Sequence, residues 1–382
     1  MPAMHVLILP SWYFPPGTQE IAGRMFHQLT KGLRGEDVDA RLLYADYSMK
    51  GPLFKKTTFL IEDEVPTWRT FQFFPPKANA FLFRMWVSRY VNDIMSYMDK
   101  EGKPDIIHAH SYLAASVCAT LQMKVRIPFI YTERLSGFIL GTIPKHHYPF
   151  LPGCFEMATA ITCVSPGLLS RMEPHSPKPI RVIPNFYDEE IFYLDTQVEK
   201  NKIFTWVSIG EPAHIKGLDI LFTAFAILKE KLKDIPMQLL LIDRIPEKEE
   251  LIKLAQSLHI ENDIVWTGLI SQPEIATILR KSHVLISASR VETFGKAIIE
   301  AQACGLPVVA TKTDGATYIM TSPQQGTLAD IGSPESLMRA MGKVFTEYAS
   351  YDGKRIHEIM EKRFSKKVVI HQWMKLYQSI MT

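Results

Sequence analysis

Short runs of β-forming residues alternate with amphipathic stretches through most of this 382-residue chain. Strands that alternate with helices build parallel sheets covered by helices on both faces, so the alternation predicts an α/β fold. A chain of this length is too long for one ordinary hydrophobic core. We therefore predict two doubly wound, Rossmann-like domains that face each other across a cleft.

The predicted elements form two series. In the first half, strands are expected at residues 5–9, 39–44, 105–110, 128–131, 160–164 and 181–183, with helices around 20–34 and 81–98. In the second half, strands are expected at 203–209, 238–242, 264–267, 283–287 and 307–310, with helices at 218–231, 248–258, 273–280 and 296–304. The stretch 50–76 is less regular, and no element is predicted there.

A charged and poorly periodic segment follows Pro184 and Asn185 and ends where the second series begins. Segments of this composition commonly connect domains. We predict an N-terminal domain over residues 1–190 and a C-terminal domain over residues 191–364. Residues 365–382 are expected to form an amphipathic helix that packs back toward the N-terminal domain.

Charge and cysteine content exclude several classes of protein. The chain has 43 Lys and Arg against 40 Asp and Glu, and a net charge of +3 gives no reason to expect a nucleic-acid partner. The four cysteines lack the paired spacing of zinc or redox sites, which favours reduced thiols in the cytoplasm. The apolar run near the N-terminus indicates a first strand rather than a signal peptide.

Residues 289–311 carry the clearest ligand-binding pattern. A buried-type strand leads into a short polar connection and then into an apolar helical stretch that Gly305 and Pro307 close. In a parallel sheet, this connection lies at the carboxyl end of the strand, where the following helix offers unpaired amides to an anion. Gly295 allows a diphosphate to approach the backbone closely.

Two carboxylates accompany this pattern, Glu292 in the connection and Glu300 in the helix. Carboxylates accept hydrogen bonds from hydroxyl groups and do not suit phosphates. The segment is therefore typical of a site for a ligand with both groups, such as a nucleoside diphosphate sugar. The alternative is that Glu292 only complements the helix N-terminus and that Glu300 faces solvent.

The whole run resembles the signature of family-four glycosyltransferases, which are retaining enzymes of the GT-B fold. The matching residues are Glu292, Thr293, Phe294, Gly295, Glu300, Ala301 and the run Ala-Cys-Gly-Leu-Pro-Val-Val-Ala-Thr at 303–311. The resemblance extends over nearly the whole chain, through KGLDILFTAFAIL in the second half and PDIIHAHSYLAA and IPFIYTER in the first.

The resemblance implies roles for individual residues. In the second domain, Lys216 would contact the donor diphosphate, Glu292 the transferred sugar and Glu300 the ribose. In the first, acceptor-side domain, His110 would reach the reacting sugar, and the loop 16–23, which ends at Gly23, would close over the phosphates. Backbone amides would complete the donor site, which also contains Thr293, Phe294 and Gly295.

The implied reaction moves a hexosyl unit from a nucleoside diphosphate sugar to a hydroxyl of a surface polysaccharide or a lipid-linked glycan. It implies no metal and no cofactor beyond the donor, and its partners are a nucleotide sugar and a glycan or glycolipid acceptor. Two other interpretations stay open. One is a sugar-nucleotide epimerase or hydrolase with Glu133 or Glu211 as its base, and the other is a non-catalytic member that binds a nucleotide sugar or a partner protein.

The chain departs from the family pattern in three places. Glu211 stands where an Arg usually joins Lys216 on the diphosphate, and Asp243 and Arg244 stand where small residues are expected. His214, Arg244 or a shifted loop would then compensate for the missing cation. Arg134 stands where the family often has His. These departures bear on which donor the site accepts and how fast it reacts.

Weaker patterns have simpler explanations. Asp37 and Asp39 have the Asp-x-Asp form of a metal site, but they lie on the side of the predicted sheet opposite to the ligand. His108 and His110 alternate on a strand without a third ligand, which favours one packed and one cleft histidine. The aromatic and basic stretch 68–90 is either a core-packed helix or a peripheral contact with the inner face of a membrane.

Overall fold

The structure is a computed structural model that describes residues 3–14, 23–210, 212–242 and 248–382. It divides into two compact units, which we call unit 1 (Met1–Ile183 with Ile370–Thr382) and unit 2 (Pro184–Val369). The predicted boundary after residue 190 lies inside unit 2. The segment before it belongs to unit 2 because Tyr187 donates its backbone N–H to Phe364 O at 3.2 Å.

Unit 1 alternates strands and helices along the chain. Its elements are β1 (His5–Leu9), α1 (Arg24–Arg34), β2 (Asp39–Ser48), β3 (Lys56–Glu62), β4 (Val65–Phe73), α2 (Ala80–Glu101), β5 (Ile106–His110), α3 (Ser111–Leu121), β6 (Phe129–Glu133), α4 (Gly137–Leu140), α5 (Leu151–Met157), β7 (Ala160–Cys163), α6 (Pro166–Met172) and β8 (Ile180–Val182).

The described strands of unit 1 form one sheet in the order β3-β4-β2-β1-β5-β6-β7-β8. All neighbours are parallel except β3 and β4, which form an antiparallel pair at the edge. This pair lies in the stretch where no element was predicted. The sequence pattern fails there because β3 is an edge strand whose successive side chains Phe59, Leu60 and Ile61 are all exposed, so no buried face produces an alternating pattern.

Unit 2 repeats the alternation with shorter strands. Its elements are β9 (Phe204–Ile209), α7 (Ala213–Lys216), α8 (Leu218–Lys231), β10 (Met237–Ile242), α9 (Lys248–Ser257), β11 (Ile264–Gly268), α10 (Gln272–Lys281), β12 (Val284–Ser287), α11 (Lys296–Ala303), β13 (Val308–Thr311), α12 (Asp314–Ile319), β14 (Gly326–Ala329), α13 (Pro334–Thr346) and α14 (Gly353–Phe364), and the chain continues into α15 (Lys366–Met381).

The described strands of unit 2 form a parallel sheet in the order β11-β10-β9-β12-β13-β14. Numbered within the unit, this is the order 3-2-1-4-5-6 of dinucleotide-binding domains. The core lies between the sheet and its helices, where Trp206 of β9, Phe225 of α8 and Met341 of α13 belong to one buried cluster. The two sheets confirm the predicted fold class of paired Rossmann-like α/β domains.

The C-terminal helix α15 belongs to unit 1 from Ile370 onward. Its side chains Trp373 and Tyr377 are fully buried. The Tyr377 hydroxyl lies 2.7 Å from His108 Nδ1, and the rings of Trp373 and His108 are 4.6 Å apart. Among the described residues, no helix combines the length and the apolar character needed to cross a membrane.

Candidate functional site

The predicted donor residues of unit 2 lie where its strand order reverses. Strand β9 has β10 on one side and β12 on the other. In sheets of this type, ligands bind beyond the carboxyl ends of the two strands that flank the reversal. Lys216 follows β9 and Glu292 follows β12, so the fold brings together two residues that are far apart in sequence.

Lys216 and Glu292 form an ion pair at this point, with Lys216 Nζ 2.8 Å from Glu292 Oε2. The two side chains keep 22% and 17% of their exposure, so a ligand can still reach both. Ser289 Oγ lies 3.3 Å from the same carboxylate oxygen and donates to it. A cation beside a carboxylate suits a ligand that carries both phosphates and hydroxyls.

The N-terminus of α11 opens directly beside this pair. Gly295 is the N-cap residue, has φ +100° and makes no side-chain cap. The first amides of a helix have no intrahelical partner and can bind an anion. The positive φ favours glycine at this position, and a β-carbon there would lie 3.1 Å from Ile298 Cδ1 and 3.3 Å from Ile319 Cδ1, so these side chains would have to shift to admit it.

Phe294 and Thr293 occupy the loop between Glu292 and the helix. The Phe294 side chain is buried, and its ring packs against that of Phe364 with centroids 5.6 Å apart. Only the Phe294 backbone is therefore left for a ligand, which is the contact that the family resemblance implies. Thr293 is half-buried in the same loop.

Glu300 is buried, in contrast to the alternative interpretation in which it faces solvent. Its Oε1 atom lies 3.3 Å from Lys296 Nζ, one turn earlier in α11. Burial raises the pKa of Glu300, and the nearby Lys296 opposes that rise. A buried carboxylate paired with a single lysine has remaining acceptor capacity that a ribose hydroxyl would satisfy.

Arg290 is a site residue that sequence reasoning missed. Its guanidinium donates to both oxygens of Asp219 at 2.8 and 2.7 Å, and also to His214 O at 2.7 Å. The Arg290 backbone N–H donates to Ile215 O at 2.8 Å. Arg290 thus ties the loop that carries Glu292 to α7, which carries Lys216, and no spacing in the sequence signals a contact between residues so far apart.

Glu211, Arg244 and residues 16–22, which the sequence predicts near the donor, lie outside the described residues. His214 is exposed, and its described contact is the one through its backbone carbonyl. Among the described residues, Lys216 is therefore the cation that lies opposite Glu292.

The predicted residues of unit 1 also lie at a reversal of strand order, between β1 and β5. Gly23 precedes α1 with φ +83°, and a β-carbon there would lie 2.8 Å from both Trp12 O and Tyr13 Cα. His110 ends β5, and its carbonyl accepts a hydrogen bond from Ser11 Oγ. The segment after β1 is thus held against the end of β5 at the carboxyl edge of this sheet.

The two histidines of β5 differ in their surroundings. His108 has both ring nitrogens occupied, by the Tyr377 hydroxyl and by Thr132 Oγ1, each at 2.7 Å. His110 receives a hydrogen bond from Arg134 Nε to its Nδ1 atom at 3.2 Å. Burial lowers the pKa of both histidines well below the ordinary value. Within the described residues, no group of three His, Cys, Asp or Glu could hold a metal ion.

Glu133, the candidate base of the epimerase interpretation, has its carboxylate occupied by the protein. The backbone N–H groups of Tyr112, Arg134 and Leu135 donate to it at 3.0, 2.8 and 2.8 Å, and the Tyr131 hydroxyl donates at 2.7 Å. Burial raises its pKa while these hydrogen bonds oppose the rise. Glu133 holds the loop after β6 in place.

Most of the aromatic stretch 68–90 is packed in the core, where Phe83, Trp86 and Tyr90 are buried, while Phe81 within it is 71% exposed. A group of exposed apolar side chains lies just before and within β3, where Leu53, Phe54 and Ile61 are 78%, 86% and 70% exposed. Sequence reasoning missed this surface because it lies in the irregular stretch 50–76.

Unit 1 also contains a cavity of about 620 Å³. Aromatic rings of Phe138, Phe155 and His175 line it. None of the residues predicted to bind the donor belongs to its lining, so the cavity is separate from the site described above.

Two family models match consecutive parts of the chain. Residues 193–363 match the model of glycosyl transferases group 1, and residues 22–191 match that of glycosyltransferase family 4. Together the two models cover both Rossmann-like domains. A pair of such domains defines the chain as a GT-B protein. The chain belongs to the family-four, group 1 glycosyltransferases.

Individual proteins resemble the chain along most of its length. N-acetyl-alpha-D-glucosaminyl L-malate synthase of Bacillus anthracis is 23% identical over 72% of this chain and 75% of its own. Sucrose-phosphate synthase of Thermosynechococcus elongatus superposes with a TM-score of 0.81 at 19% identity, over 98% of this chain and 99% of its own. HepE of Anabaena, in complex with UDP and glucose, superposes with a TM-score of 0.75 at 18% identity, over 98% of this chain and 100% of its own.

Proposed function

We propose that this glycosyltransferase moves a hexosyl unit, with retention of configuration, from a nucleoside diphosphate sugar to a hydroxyl group of a surface polysaccharide or a lipid-linked glycan. The observation that carries the proposal is the pairing of Lys216 with Glu292 beside the open N-terminus of α11. The complex of the GT-B protein HepE with UDP and glucose supports a donor of this class.

In the proposed mechanism, charge develops on the leaving diphosphate as the bond to the sugar breaks. Lys216 and the first amides of α11 stabilise that charge, which removes the need for a metal ion. Glu292 accepts hydrogen bonds from hydroxyls of the transferred sugar and so orients it. The acceptor attacks from the face that the diphosphate leaves, and a leaving-group oxygen takes the acceptor proton, as the family resemblance implies.

A donor screen tests the proposal. Uridine, guanosine and adenosine diphosphate sugars are added to the protein, and the unfolding temperature is measured, because a ligand that binds only the folded state stabilises it by mass action. One donor should raise the unfolding temperature, and Lys216→Ala should reduce the rise at a given donor concentration. A screen in which no nucleotide sugar changes the unfolding temperature contradicts a donor site in unit 2.

The reaction itself is followed with the donor that binds. Hydrolysis without acceptor, transfer to glycan acceptors and the anomeric configuration of the product are recorded by NMR, in the presence and absence of EDTA. Retention with full activity in EDTA is expected. An inverted product or a loss of activity in EDTA would refute the corresponding part of the mechanism.

The epimerase interpretation has less support. Its described candidate base, Glu133, uses its carboxylate oxygens to hold backbone amides and a tyrosine hydroxyl, which leaves it poorly suited to abstract a proton from a sugar carbon. The same NMR spectra distinguish this alternative, because an epimerase converts the donor into a second nucleotide sugar without any acceptor.

We further propose that unit 1 contacts an anionic membrane surface through the residues around β3. The exposed side chains Leu53, Phe54 and Ile61 are accompanied by exposed Lys50 and Lys56. Apolar side chains next to lysines favour insertion at the boundary of an anionic bilayer. An acceptor attached to a lipid would be held at the same surface.

Sedimentation with phosphatidylglycerol vesicles at low and high salt tests this contact. The double variant Leu53→Ser, Phe54→Ser should bind the vesicles less than the unmodified protein. Met123→Ser is the matched control, since Met123 is an 80% exposed apolar residue of the same unit that follows α3. Equal binding of both variants, or no binding of the unmodified protein at low salt, would exclude this surface.

A further inference from the structure

The two ring nitrogens of His110 have different surroundings. The ring is fully buried at the end of β5. Nδ1 lies 3.2 Å from Arg134 Nε, while Nε2 has no hydrogen-bond partner among the described residues. A guanidinium can only donate, so Nδ1 has to be the acceptor and therefore carries no proton.

The charge of the ring follows from its environment. Burial, together with His108 on the same strand and the Arg134 guanidinium after β6, lowers the pKa of His110 well below its ordinary value. Burial also lowers the pKa of Arg134 to about 9. This value is still above neutral pH, so the guanidinium stays protonated there. A neutral imidazole with an unprotonated Nδ1 carries its single proton on Nε2.

We infer that Arg134 is a positioning residue that fixes His110 as the Nε2–H tautomer, so that His110 presents a buried N–H donor to an oxygen atom of the bound sugar nucleotide. This inference rests on the proposed function, since that function supplies the ligand. It also explains the departure from the family pattern at Arg134: a guanidinium donates unconditionally, whereas a histidine there could donate or accept.

The backbone around His110 is held as firmly as the ring. The His110 carbonyl accepts from Ser11 Oγ, which also lies 2.6 Å from Ser111 Oγ. Ser111 has φ +72°, a conformation that a residue with a side chain adopts only when its surroundings impose it. The ring of Phe26 from α1 packs against that of His110 with centroids 4.8 Å apart. These contacts leave the ring little freedom to turn Nε2 elsewhere.

His108 provides an internal comparison. It lies on the same face of β5, and its ring centroid is 4.0 Å from that of His110. Both of its nitrogens are occupied by Thr132 and Tyr377, so it is a structural histidine. Within the part of the chain that the structure describes, His110 Nε2 is the unpartnered donor of this pair, and a buried donor is costly to leave without an acceptor. A ligand oxygen is the partner that would satisfy it.

The tautomer is measured directly on protein labelled with ¹⁵N-histidine, by two-bond correlation of ring nitrogens with ring carbon-bound protons. His110→Gln assigns the His110 signals by their disappearance. At neutral pH, the unmodified protein should show an unprotonated Nδ1 and a protonated Nε2. Observation of the Nδ1–H tautomer or of an imidazolium would overturn the inference. This NMR measurement does not depend on the enzymatic activity of the protein.

Two variants then test the obligatory donor at position 134. Arg134→Gln has no charge and an amide that can donate or accept, so it should weaken the preference for the Nε2–H tautomer and keep part of the transfer rate. Arg134→Met has no donor and should give a mixture of tautomers with kcat at least tenfold lower and little change in donor KM. An unchanged tautomer in both variants would overturn the role of Arg134, and Arg134→Gln alone decides the point when Arg134→Met does not fold.

A donor titration separates this inference from the proposed function. If a nucleotide sugar raises the unfolding temperature, the His110 Nε2 resonance should shift as the sugar binds. Donor binding without that shift overturns the inference and leaves the proposed function standing. If no nucleotide sugar binds at all, the proposed function fails, and the tautomer measured in the unliganded protein still tests the role of Arg134.

Discussion

Gly217 packs directly against the backbone carbonyl of Ala288: a β-carbon on Gly217 would lie 2.2 Å from Ala288 O. Gly217 joins α7 to α8 with φ +63°, and Ala288 follows β12. The close approach sets the separation between the end of α7, which carries Lys216, and the loop that carries Glu292. The geometry of the donor site therefore depends on a contact between two backbones, with Arg290 adding the side-chain link.

Gly217→Ala should destabilise the protein by about 2 to 4 kcal/mol, from backbone strain and a steric clash together. Gly332→Ala is the matched control, because Gly332 also has a positive φ, +78°, but an added β-carbon there meets no atom within 4 Å. It should cost only about 1 kcal/mol. Chemical denaturation measures both, and equal losses of stability would contradict the proposed close packing.

Lys216→Ala should lower kcat for transfer by about 100- to 1000-fold, the usual effect of removing one donor that stabilises developing charge. Lys312→Ala is the control, because Lys312 pairs with Asp330 at 2.8 Å in the same unit but is 56% exposed. Its removal should leave kcat and the unfolding temperature nearly unchanged. Initial rates at saturating donor distinguish the two, and a comparable loss in both variants would argue against a specific role for Lys216.

Glu300→Gln should stabilise the protein at neutral pH by about 1 kcal/mol, or a few degrees in unfolding temperature, while it weakens donor binding. Burial raises the pKa of Glu300, so the folded protein holds this proton more tightly than the unfolded chain does. The cost of ionised Glu300 is therefore present at neutral pH and disappears as the pH falls below the pKa of the unfolded carboxyl. The gain should vanish near pH 4.

Glu274→Gln is a control for which the opposite change in stability is expected. Glu274 caps α10 through Ser271, and that hydrogen bond lowers its pKa. Removing its charge should lower stability at neutral pH rather than raise it, with the loss fading in acid. Thermal unfolding at several pH values records both profiles, and a stability gain for Glu300→Gln that persists in acid would rule out ionisation as its cause.

Tyr377→Phe should destabilise unit 1 by about 1 to 3 kcal/mol, because it leaves the buried His108 Nδ1 without its partner at 2.7 Å. Tyr187→Phe is the comparison, since the buried Tyr187 hydroxyl has no hydrogen-bond partner among the described residues. Its removal should be neutral or stabilising. Hydrogen exchange resolves the two units separately, and equal effects at the two tyrosines would contradict the assigned contact.

The sequence was sufficient to predict most of the elements. The helix predicted at 218–231 is α8, and the strand predicted at 5–9 is β1, because apolar residues recur there with clear helical or strand periods. The strand β3 was missed because an edge strand exposed on both faces has no such period, and β4 was missed because Thr67–Thr70 are buried consecutively instead of alternately. The domain boundary shifted because hydrogen bonds to Phe364, distant in sequence, decide which unit residue 187 joins.

For the site, the sequence by itself determined which residue types were available. These are a helix with glycine at its N-cap, two glutamates, a lysine and a histidine in a recognisable order. Only the tertiary structure decided their relations, such as the ion pair of Lys216 with Glu292, the burial of Glu300 and the contact of Arg134 with His110. The physical reason is that local periodicity sets helices and strands, whereas charge pairing, burial and tautomer depend on loops that meet only when parallel strands align in a sheet.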